Sequence, residues 1–518
     1  MKIKKQFKRY PLFFIVVIML LVSSSCKKTV EVGNPITQVS SADVFSSDAA
    51  INAAISGIYS DMLNTYAGGG YYSVSAVVSY SADELLSSDY SFYDDNITPS
   101  DYELPYLWGS PYTDIYAANN LLEGLAKPNG ISAAMSKQIT AEAKFIRAFD
   151  YFYLVNLFGD VPLVTGTAWQ QNTNVVRTPS VRVYQQIVAD LKDAQASLPA
   201  DFSISKGERV RPNKWAATAL LARVYLYMKD WPDAETQASS VIANTSLYSL
   251  VSLNQVFLKN SNEAIWQLSS DNSNAQDAQV FSPEPDPFYS SPLLPATVNM
   301  FSANDQRLTY WTTALDDGTG TGNLLYFPTK YKNDQISPIT EYSMVMRLAE
   351  QYLIRAEARA EQSNITGANS ATSDVNAIRA RAGIAGTTAT TQNDMLQAIA
   401  DERLRELFTE WGHRWLDLKR TGRALTVLSA LKPDLNQNML LYQEIRIILN
   451  HVNFGGSNRY IFNVSPNCVK SIHVGTRISE VNLVDLKGIC KDKYPNVLLH
   501  QIMPLKNRFE LTSSLISN

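Results

Sequence analysis

The sequence predicts a mainly α-helical protein in which tetratricopeptide-like helical hairpins form a scaffold for long, irregular, aromatic-rich insertions. Three observations indicate this fold class. Several segments repeat apolar residues at helical spacing, alanines line the expected helix contacts, and proline and glycine interrupt the periodicity in two aromatic regions. The chain has 518 residues, of which 45% are hydrophobic and 18% are charged. That length and composition suffice for a large folded core and exclude general disorder.

The first helical segments lie between residues 41 and 158. Apolar residues recur near helical spacing at 41–62 and 112–125, and most strongly at 133–158, where Phe145 and Phe149 mark one face. Gly159 and Pro162 then end the helical pattern.

Helical hairpins are predicted from residue 181 onwards. Helices are expected at 181–198 and 214–228, and Pro232 follows at a natural first helical position before a helix at 233–242. Alanines at positions 216, 217, 219 and 222 permit the close approach that a tetratricopeptide-like hairpin needs. Similar units are expected at 344–361 with 373–382, and at 393–411, with an irregular period.

Two regions lack helical spacing and are rich in aromatic rings: residues 64–112 and about 270–340. The chain contains 27 tyrosines against 19 phenylalanines and 8 tryptophans. Amphipathic rings on long loops suit a surface that binds polar, ring-shaped or chain-like ligands. They equally suit packing beneath their own loops, so both interpretations stay open.

The N-terminus has the pattern of a secretory signal. Five basic residues lie within the first ten, an apolar run covers 11–22, and three serines precede Cys26. A membrane-spanning helix needs roughly 20 apolar residues, and this run is too short. The segment resembles a bacterial lipoprotein signal, although Ser23 stands where leucine is usual. That resemblance implies lipid modification of Cys26; the alternative is ordinary secretion with an incidental cysteine.

Charge and motifs exclude several classes of function. The net charge of −4 argues against nucleic-acid binding through phosphate contacts, and three cysteines are too few for a disulfide scaffold. No nucleophile elbow, phosphate-binding loop, HExxH or CxxC motif occurs, so we expect no metal and no cofactor. His413, between two tryptophans, is expected to be packed and structural. Paired carboxylates leave glycoside hydrolysis open, because the sequence does not encode their separation of about 5–10 Å.

A series of motifs resembles the SusD/RagB family of surface nutrient-binding lipoproteins from Bacteroidetes. The matching stretches run, in order, from Trp108…Tyr112…Tyr116…Asn119-Asn120 to EAKFIRAFDYFYLVNLFGDVPLV at 142–164, RVYQQIVADLKDAQASLP at 182–199, WAATALLARVYLYMKDWPDA at 215–234, NEAIWQL at 262–268, RLAEQYLIRAEA at 347–358, VNAIRARAGI at 375–384 and ERLRELFTEWGHRWLDLKRTG at 402–422.

This resemblance implies a helical fold anchored by lipid in the outer leaflet of the outer membrane, facing the cell exterior. It also implies a partner, a SusC-like TonB-dependent transporter, and a non-catalytic role in the capture of glycans or, in some members, peptides. In this family the binding site is built from irregular loops, so the resemblance and the ring-rich regions together suggest six ligand-binding residues: Tyr90, Phe92, Tyr93, Tyr289, Tyr310 and Trp311.

We expect the chain to divide into a signal peptide (1–25), a tether (26–40), a helical part with tetratricopeptide-like hairpins (41–270), a loop-rich insertion (271–340), a second helical part (341–442) and an atypical tail (443–518). The tail carries nine Lys or Arg against five Asp or Glu, and it contains three of the four histidines. This change in composition suggests a frame disruption; a genuine accessory segment is the alternative. A comparison of the three reading frames of the encoding DNA distinguishes them.

Overall fold

The computed structural model describes residues 41–86, 91–95, 97–98, 101–270, 272–283, 291–432 and 435. Within these residues the protein is mainly helical, as the sequence predicts. The signal peptide, the tether with Cys26, and the tail from residue 443 lie outside the described residues. The proposed division of the chain therefore stays a prediction.

Helices form the N-terminal part of the described residues. They are α1 (Ser41–Val44), α2 (Asp48–Leu63), α3 (Val74–Ser81), α4 (Leu104–Leu125) and α5 (Ala133–Phe158). Nearly every side chain of α5 from Ala141 onwards is buried, so this helix forms the centre of the core. Ser132 caps α5 and also donates two hydrogen bonds to the Asp48 carboxylate, at 2.8 and 2.6 Å, which ties the starts of α2 and α5 together.

The next part of the chain contains the predicted hairpin, which is formed by α8 (Lys214–Met228) and α9 (Trp231–Ile242). The other elements of this part are the two-residue strands β1 (Val161–Pro162) and β2 (Arg177–Thr178), the helices α6 (Trp169–Asn172) and α7 (Ser180–Ser197), and 3₁₀ turns at Ser203–Ser205 and Leu253–Gln255. All four alanines predicted to line the contacts of α8 are fully buried. Lys229 has a φ of 61° and turns the chain from α8 into α9, where Pro232 lies in the first turn.

The second helical part begins with a strand that the sequence did not predict. The antiparallel strands β3 (Ala264–Leu268) and β6 (Ser343–Arg347) pair, and the helices α13 (Leu348–Glu361), α14 (Ala371–Arg381), α15 (Gln392–Leu407), α16 (His413–Arg420) and α17 (Ala424–Leu428) follow. The helix expected over 344–361 therefore starts only at Leu348, because residues 344–347 belong to strand β6, which is paired with β3.

The predicted helix at 393–411 also ends early. Thr409, Trp411 and Gly412 have positive φ angles of 52°, 51° and 63°, which an α-helix does not accept. An added side chain at Gly412 would place its Cβ 2.6 Å from Val78, so glycine is required at this position.

The insertion between α9 and α13 is largely irregular, as predicted, but it contains short helices and a hairpin. These elements are α10 (Asp277–Phe281), α11 (Pro295–Val298), α12 (Gln306–Trp311), and the paired strands β4 (Thr312–Asp316) and β5 (Leu324–Pro328). Gly318, Gly320 and Gly322 all have positive φ angles and form the turn of this hairpin.

Helix packing explains how the scaffold supports both aromatic regions. The main helices form an array in which each packs against the next, in the order α4, α5, α7, α8, α9, α13 and α14. Helix α15 packs on α13 and α14. Since α9 and α13 are neighbours in space but about a hundred residues apart in sequence, the whole intervening insertion leaves and re-enters the array at one place. The first aromatic region similarly lies between α2 and α4.

Candidate ligand-binding surface

Three tyrosines form an exposed cluster in the first aromatic region. The ring of Tyr72 stacks on Tyr106 with centroids 4.6 Å apart and an interplanar angle of 13°. Tyr102 meets the edge of Tyr72 at 5.1 Å, and its hydroxyl lies 3.2 Å from that of Tyr106. Tyr102 is 61% exposed and Tyr72 is 37% exposed, so these residues, called here the tyrosine cluster, present ring surface to solvent.

Two separate elements bring the cluster together. Tyr106 lies in the first turn of α4, and Tyr102 lies in the turn two residues before this helix begins. Tyr72 lies in the loop between α2 and α3, which is closed by a hydrogen bond from Val74 N to Tyr66 O at 2.9 Å. Gly69 in this loop has a φ of 81°, and a Cβ there would lie 2.0 Å from the Asp277 carboxylate.

A buried acid anchors this loop to the core. The Tyr66 hydroxyl donates a hydrogen bond to Asp150 on α5, and both side chains are fully buried. Burial raises the pKa of the Asp150 and Asp114 carboxyls well above the usual range, and the charge of Asp150 further disfavours ionisation of Asp114. Ionisation of both carboxyls is therefore disfavoured, and the loop is anchored to the core through the hydrogen bond from Tyr66 to Asp150.

Two of the six predicted ring residues do not reach the surface. Phe92 is 0% exposed and packs in the main core, and Trp311 is 1% exposed. The indole nitrogen of Trp311 donates to Leu253 O at 3.0 Å, and its ring meets the edge of Phe257 at 5.6 Å. Because neither ring has an accessible face, the prediction that Phe92 and Trp311 contact a ligand is corrected: both are core residues.

The other predicted rings have different surroundings. Tyr310 is 43% exposed, and its backbone carbonyl accepts a hydrogen bond from Lys332 at 2.6 Å. Tyr93 is half-buried, with the ammonium of Lys432 5.4 Å from its ring centre. Among the described residues, neither ring contacts the other or the tyrosine cluster. Tyr90 and Tyr289 lie outside the described residues, so their assignment stays a prediction.

Sequence reasoning recognised the tyrosines of region 64–112 as dense but did not select the cluster. The signal that could have found it is the spacing of Tyr102 and Tyr106 at the start of a helix. The sequence does not predict the first part of that helix, because Pro105 and Pro111 are typical of breaks in a helical segment. Pro105 lies in the first turn, where proline is well tolerated, and the helix continues through Pro111.

The strongly perturbed titratable groups of the interior form a separate set. A cavity of about 10 Å³ is lined by Asp277, Lys330 and Glu410 among others, which is about the space of one water molecule. Burial raises the pKa of Asp277 to about 7 and lowers that of Lys330 to about 8. This cavity is too small for a sugar ring.

His413 is 5% exposed, and burial, together with nearby arginines, lowers its pKa well below the usual value. It is therefore neutral and packed at physiological pH. The described residues contain no group of three or more His, Cys, Asp or Glu that could hold a metal ion. None of the described helices combines the length and apolarity needed to cross a membrane.

Two family profiles match the chain. One is SusD-like_3, described as starch-binding and associating with the outer membrane, and it matches residues 30–226. The other is the SusD family profile SusD_RagB, which matches residues 266–444. The chain belongs to the SusD/RagB family. The second match ends at residue 444, close to where the predicted atypical tail begins.

Several sequence relatives are SusD-like proteins. The chain is 29% identical to SusD-like protein P2 of Formosa agariphila, over 47% of this chain and 48% of P2. It is 31% identical to protein P25 of the same organism, over 31% of each chain. The aligned part thus spans half or less of these two relatives. A third relative, P38, is 23% identical over 85% of this chain and 96% of its own.

Solved structures of the SusD family share the fold. A laminarin-binding SusD-like protein superimposes with a TM-score of 0.65 at 25% identity, covering 77% of this chain and 96% of its own. A SusD superfamily protein from Bacteroides vulgatus gives a TM-score of 0.65 at 21% identity, covering 76% and 95%. These comparisons confirm the mainly helical, SusD-like fold that the sequence predicts.

Proposed function

We propose that this chain is a non-catalytic, cell-surface glycan-binding lipoprotein. It captures oligosaccharide or polysaccharide and delivers it to a SusC-type TonB-dependent transporter in the outer membrane. The observation that carries the proposal is the tyrosine cluster, which offers stacked, solvent-exposed rings with their hydroxyl groups at the edge.

The chemistry of the cluster suits a sugar. A pyranose ring has an apolar C–H face that packs against a flat aromatic ring, while its hydroxyl groups need hydrogen-bond partners at the rim. The Tyr102 and Tyr106 hydroxyls, 3.2 Å apart, supply such partners next to the ring faces. Tyrosine also loses little conformational entropy on binding, because only two side-chain angles must be fixed.

The comparisons support the ligand class. One matching profile is described as starch-binding, and a solved structure with a similar fold is a laminarin-binding protein. Anchoring through a lipid on Cys26 agrees with the profile's association with the outer membrane, and it leaves the helical domain outside the bilayer.

A non-catalytic role fits the placement of the titratable groups. Glu84, Asp277, Asp114 and Asp150 have raised pKa values because each is buried in the core. None of the four lies at the exposed tyrosine cluster, where a polymer would bind. These four carboxyl groups are thus removed from the proposed ligand.

Calorimetry of the full chain against a panel of oligosaccharides tests the proposal. We expect affinity for at least one glycan to fall about tenfold in Tyr102→Ala and in Tyr106→Ala, because each loses a stacking face. Trp169→Ala is the matched control, since Trp169 is also 61% exposed but lies on α6 of the scaffold. Unchanged binding in both tyrosine variants would remove the site assignment.

The same panel distinguishes the alternatives. Binding of oligopeptides with no glycan would select the peptide-binding alternative. Release of products from a polysaccharide, abolished by one Asp or Glu substitution, would instead indicate a glycoside hydrolase.

A separate variant tests the anchor and the partner. Cys26→Ala is expected to release the chain from the membrane fraction and to reduce its co-purification with the transporter.

A further inference from the structure

The loop that carries Tyr72 rests on helix α10 of the insertion. The Asp277 carboxylate, at the start of α10, occupies the space that a side chain at Gly69 would need. Tyr72 follows three residues after Gly69, and its ring stacks on Tyr106. A buried carboxyl group therefore lies directly beneath the loop whose exposed ring completes the tyrosine cluster.

The hydroxyl of Ser343, on strand β6, connects this carboxyl group to the loop. Ser343 Oγ lies 3.4 Å from the carbonyl oxygen of Gly68 and 3.4 Å from Oδ2 of Asp277. Gly68, Asp277 and Ser343 are all buried. A serine hydroxyl has one proton to donate, so a well-formed hydrogen bond goes to one of these two acceptors at a time.

The protonation state of Asp277 decides which acceptor receives that proton. A protonated carboxyl donates its own O–H to Ser343 Oγ, and the Ser343 O–H then donates to Gly68 O. An ionised carboxylate is the stronger acceptor and takes the Ser343 proton itself, so Gly68 O loses this donor. Because the carbonyl is buried, loss of the donor weakens the attachment of the loop.

The groups around Asp277 set the pH at which this exchange occurs. They are Lys330 and Tyr331 after β5, Glu341 before β6, and Glu410 after α15. Burial, and then the charges of Glu410 and Glu341, raise the pKa of Asp277 to about 7, although its hydrogen bonds with its own backbone and with Ser343 oppose the shift. The ammonium of Lys330 is directed to Glu410 and to the backbone oxygen of Glu406.

We propose that Asp277 and Ser343 are positioning residues for the tyrosine cluster, and that the protonation state of the carboxyl group decides whether the Ser343 hydroxyl holds the Gly68 carbonyl. With the loop held, Tyr72 stays stacked on Tyr106 and the cluster is ready to bind. With the loop released, a smaller fraction of molecules has the binding arrangement, and the apparent affinity falls by that fraction. This inference concerns the control of the proposed site and rests on the proposed function.

The pH dependence of glycan affinity tests the inference. The full chain is titrated by calorimetry with laminarin, or with whichever uncharged glycan binds best in the panel, at pH 5.5 and at pH 8.5. An uncharged ligand has no group of its own that titrates in this range. Because Asp277 is protonated below about pH 7 and ionised above it, we expect affinity to be about fivefold lower at pH 8.5, which is the net effect of one hydrogen bond.

Two variants separate this arrangement from a merely structural role. In Asp277→Asn, the amide group donates to Ser343 Oγ at either pH, so affinity should stay high at both. In Ser343→Ala, no hydroxyl reaches Gly68 O, so affinity should be low at both. Residues that only filled space would instead weaken binding in both variants and leave its pH dependence in place.

Glu84→Gln is the matched control. Glu84 is also a buried acid whose pKa is raised by burial to about 7, but its carboxylate accepts a hydrogen bond from Thr409 N, outside the loop. This variant should therefore retain the pH dependence of glycan affinity.

Hydrogen exchange gives a readout that needs no ligand. The protection of the amides of residues 66–74, corrected for the intrinsic effect of pH, should be about fivefold lower at pH 8.5 than at pH 5.5, and Asp277→Asn should abolish the difference. Equal affinity at the two pH values, or a pH dependence that persists in Asp277→Asn, would overturn this inference and leave the proposed function standing. Failure to bind any glycan would overturn the proposed function, while the exchange data still decide whether the carboxyl group holds the loop.

Discussion

Carboxylates have two contrasting environments in this protein. In the second helical part they are buried and matched by arginines: Arg347 contacts Glu263, Glu406 and Glu410 at 3.0, 2.5 and 2.8 Å, with its own side chain almost fully enclosed. In the segment 41–126 the chain supplies acids but no bases. The comparison shows that carboxylates in the second helical part are matched by arginines of the same part, whereas acids of segment 41–126 such as Asp83 depend on basic side chains from elsewhere in the chain, here Arg414.

The protonation states follow the same division. Although burial opposes it, the charges of the surrounding arginines hold the pKa of Glu406 far below the usual value. Glu84, in the base-free segment, is also buried, and burial raises its pKa to about 7 despite a hydrogen bond from Thr409 N at 3.1 Å. A buried acid thus stays ionised beside the arginine cluster and tends to take up a proton outside it.

The largest effect is expected from breaking the arginine cluster. Arg347→Met leaves three buried carboxylates without their shared partner, and loss of one member of a buried ion pair costs about 3–5 kcal/mol. Urea denaturation of the purified chain measures this change in the free energy of unfolding. Arg423→Met, which loses a single exposed hydrogen bond to Gln397, is the control and should change it by less than about 0.5 kcal/mol. Similar losses in both variants would contradict the contrast between the two environments.

A pH dependence of somewhat smaller size is expected from Glu84. Its pKa in the folded state, about 7, lies above that of the unfolded chain, so its contribution to stability is full below the unfolded pKa and is lost as pH rises through about 7. The shift corresponds to about 3 kcal/mol between those limits.

Urea denaturation at pH 5, 7 and 8.5 measures how the free energy of unfolding falls as pH rises. In Glu84→Gln, the part of this pH dependence that is due to the Glu84 carboxyl should be absent. Asp101→Asn, an acid of the same segment at its surface, is the control for a general charge effect. A profile that is unchanged in the Glu84 variant would show that this carboxyl is ionised in the folded protein.

The smallest effect distinguishes buried from exposed rings. Trp311→Phe loses the hydrogen bond to Leu253 O and some core volume, so we expect a stability loss of about 1–3 kcal/mol with glycan affinity unchanged within about twofold. Tyr102→Ala should do the reverse, reducing affinity while changing stability by less than about 0.5 kcal/mol. Reduced affinity in a stably folded Trp311 variant would restore that residue to the binding site.

Sequence patterns determined the scaffold well because helical burial is periodic. The helix predicted at 133–158 is observed as Ala133–Phe158, and the one at 214–228 as Lys214–Met228. Strand β6 was missed since five buried residues in a row fit a helix or a strand equally, and only the pairing with β3 decides between them.

The ring assignments fared less well because irregular segments have no period that separates inner from outer faces. Trp311 closes α12 and turns inward against Phe257, while the preceding residue, Tyr310, remains at the surface. Tyr72 becomes a candidate only when the loop after α2 folds back over α4. Contacts between distant parts of the chain, which the spacing of residues does not encode, fix these orientations.

The pairing of β3 with β6 has a consequence for how such a protein diversifies. The two strands hold the entry and exit of the insertion side by side, through pairs such as Leu268 with Ser343. Lengthening a segment whose ends are already fixed costs only about 0.6 kcal/mol for each doubling. Descendants of this gene can therefore change the length of the enclosed stretch at little cost wherever the change spares its contacts with the core, such as those of Trp311.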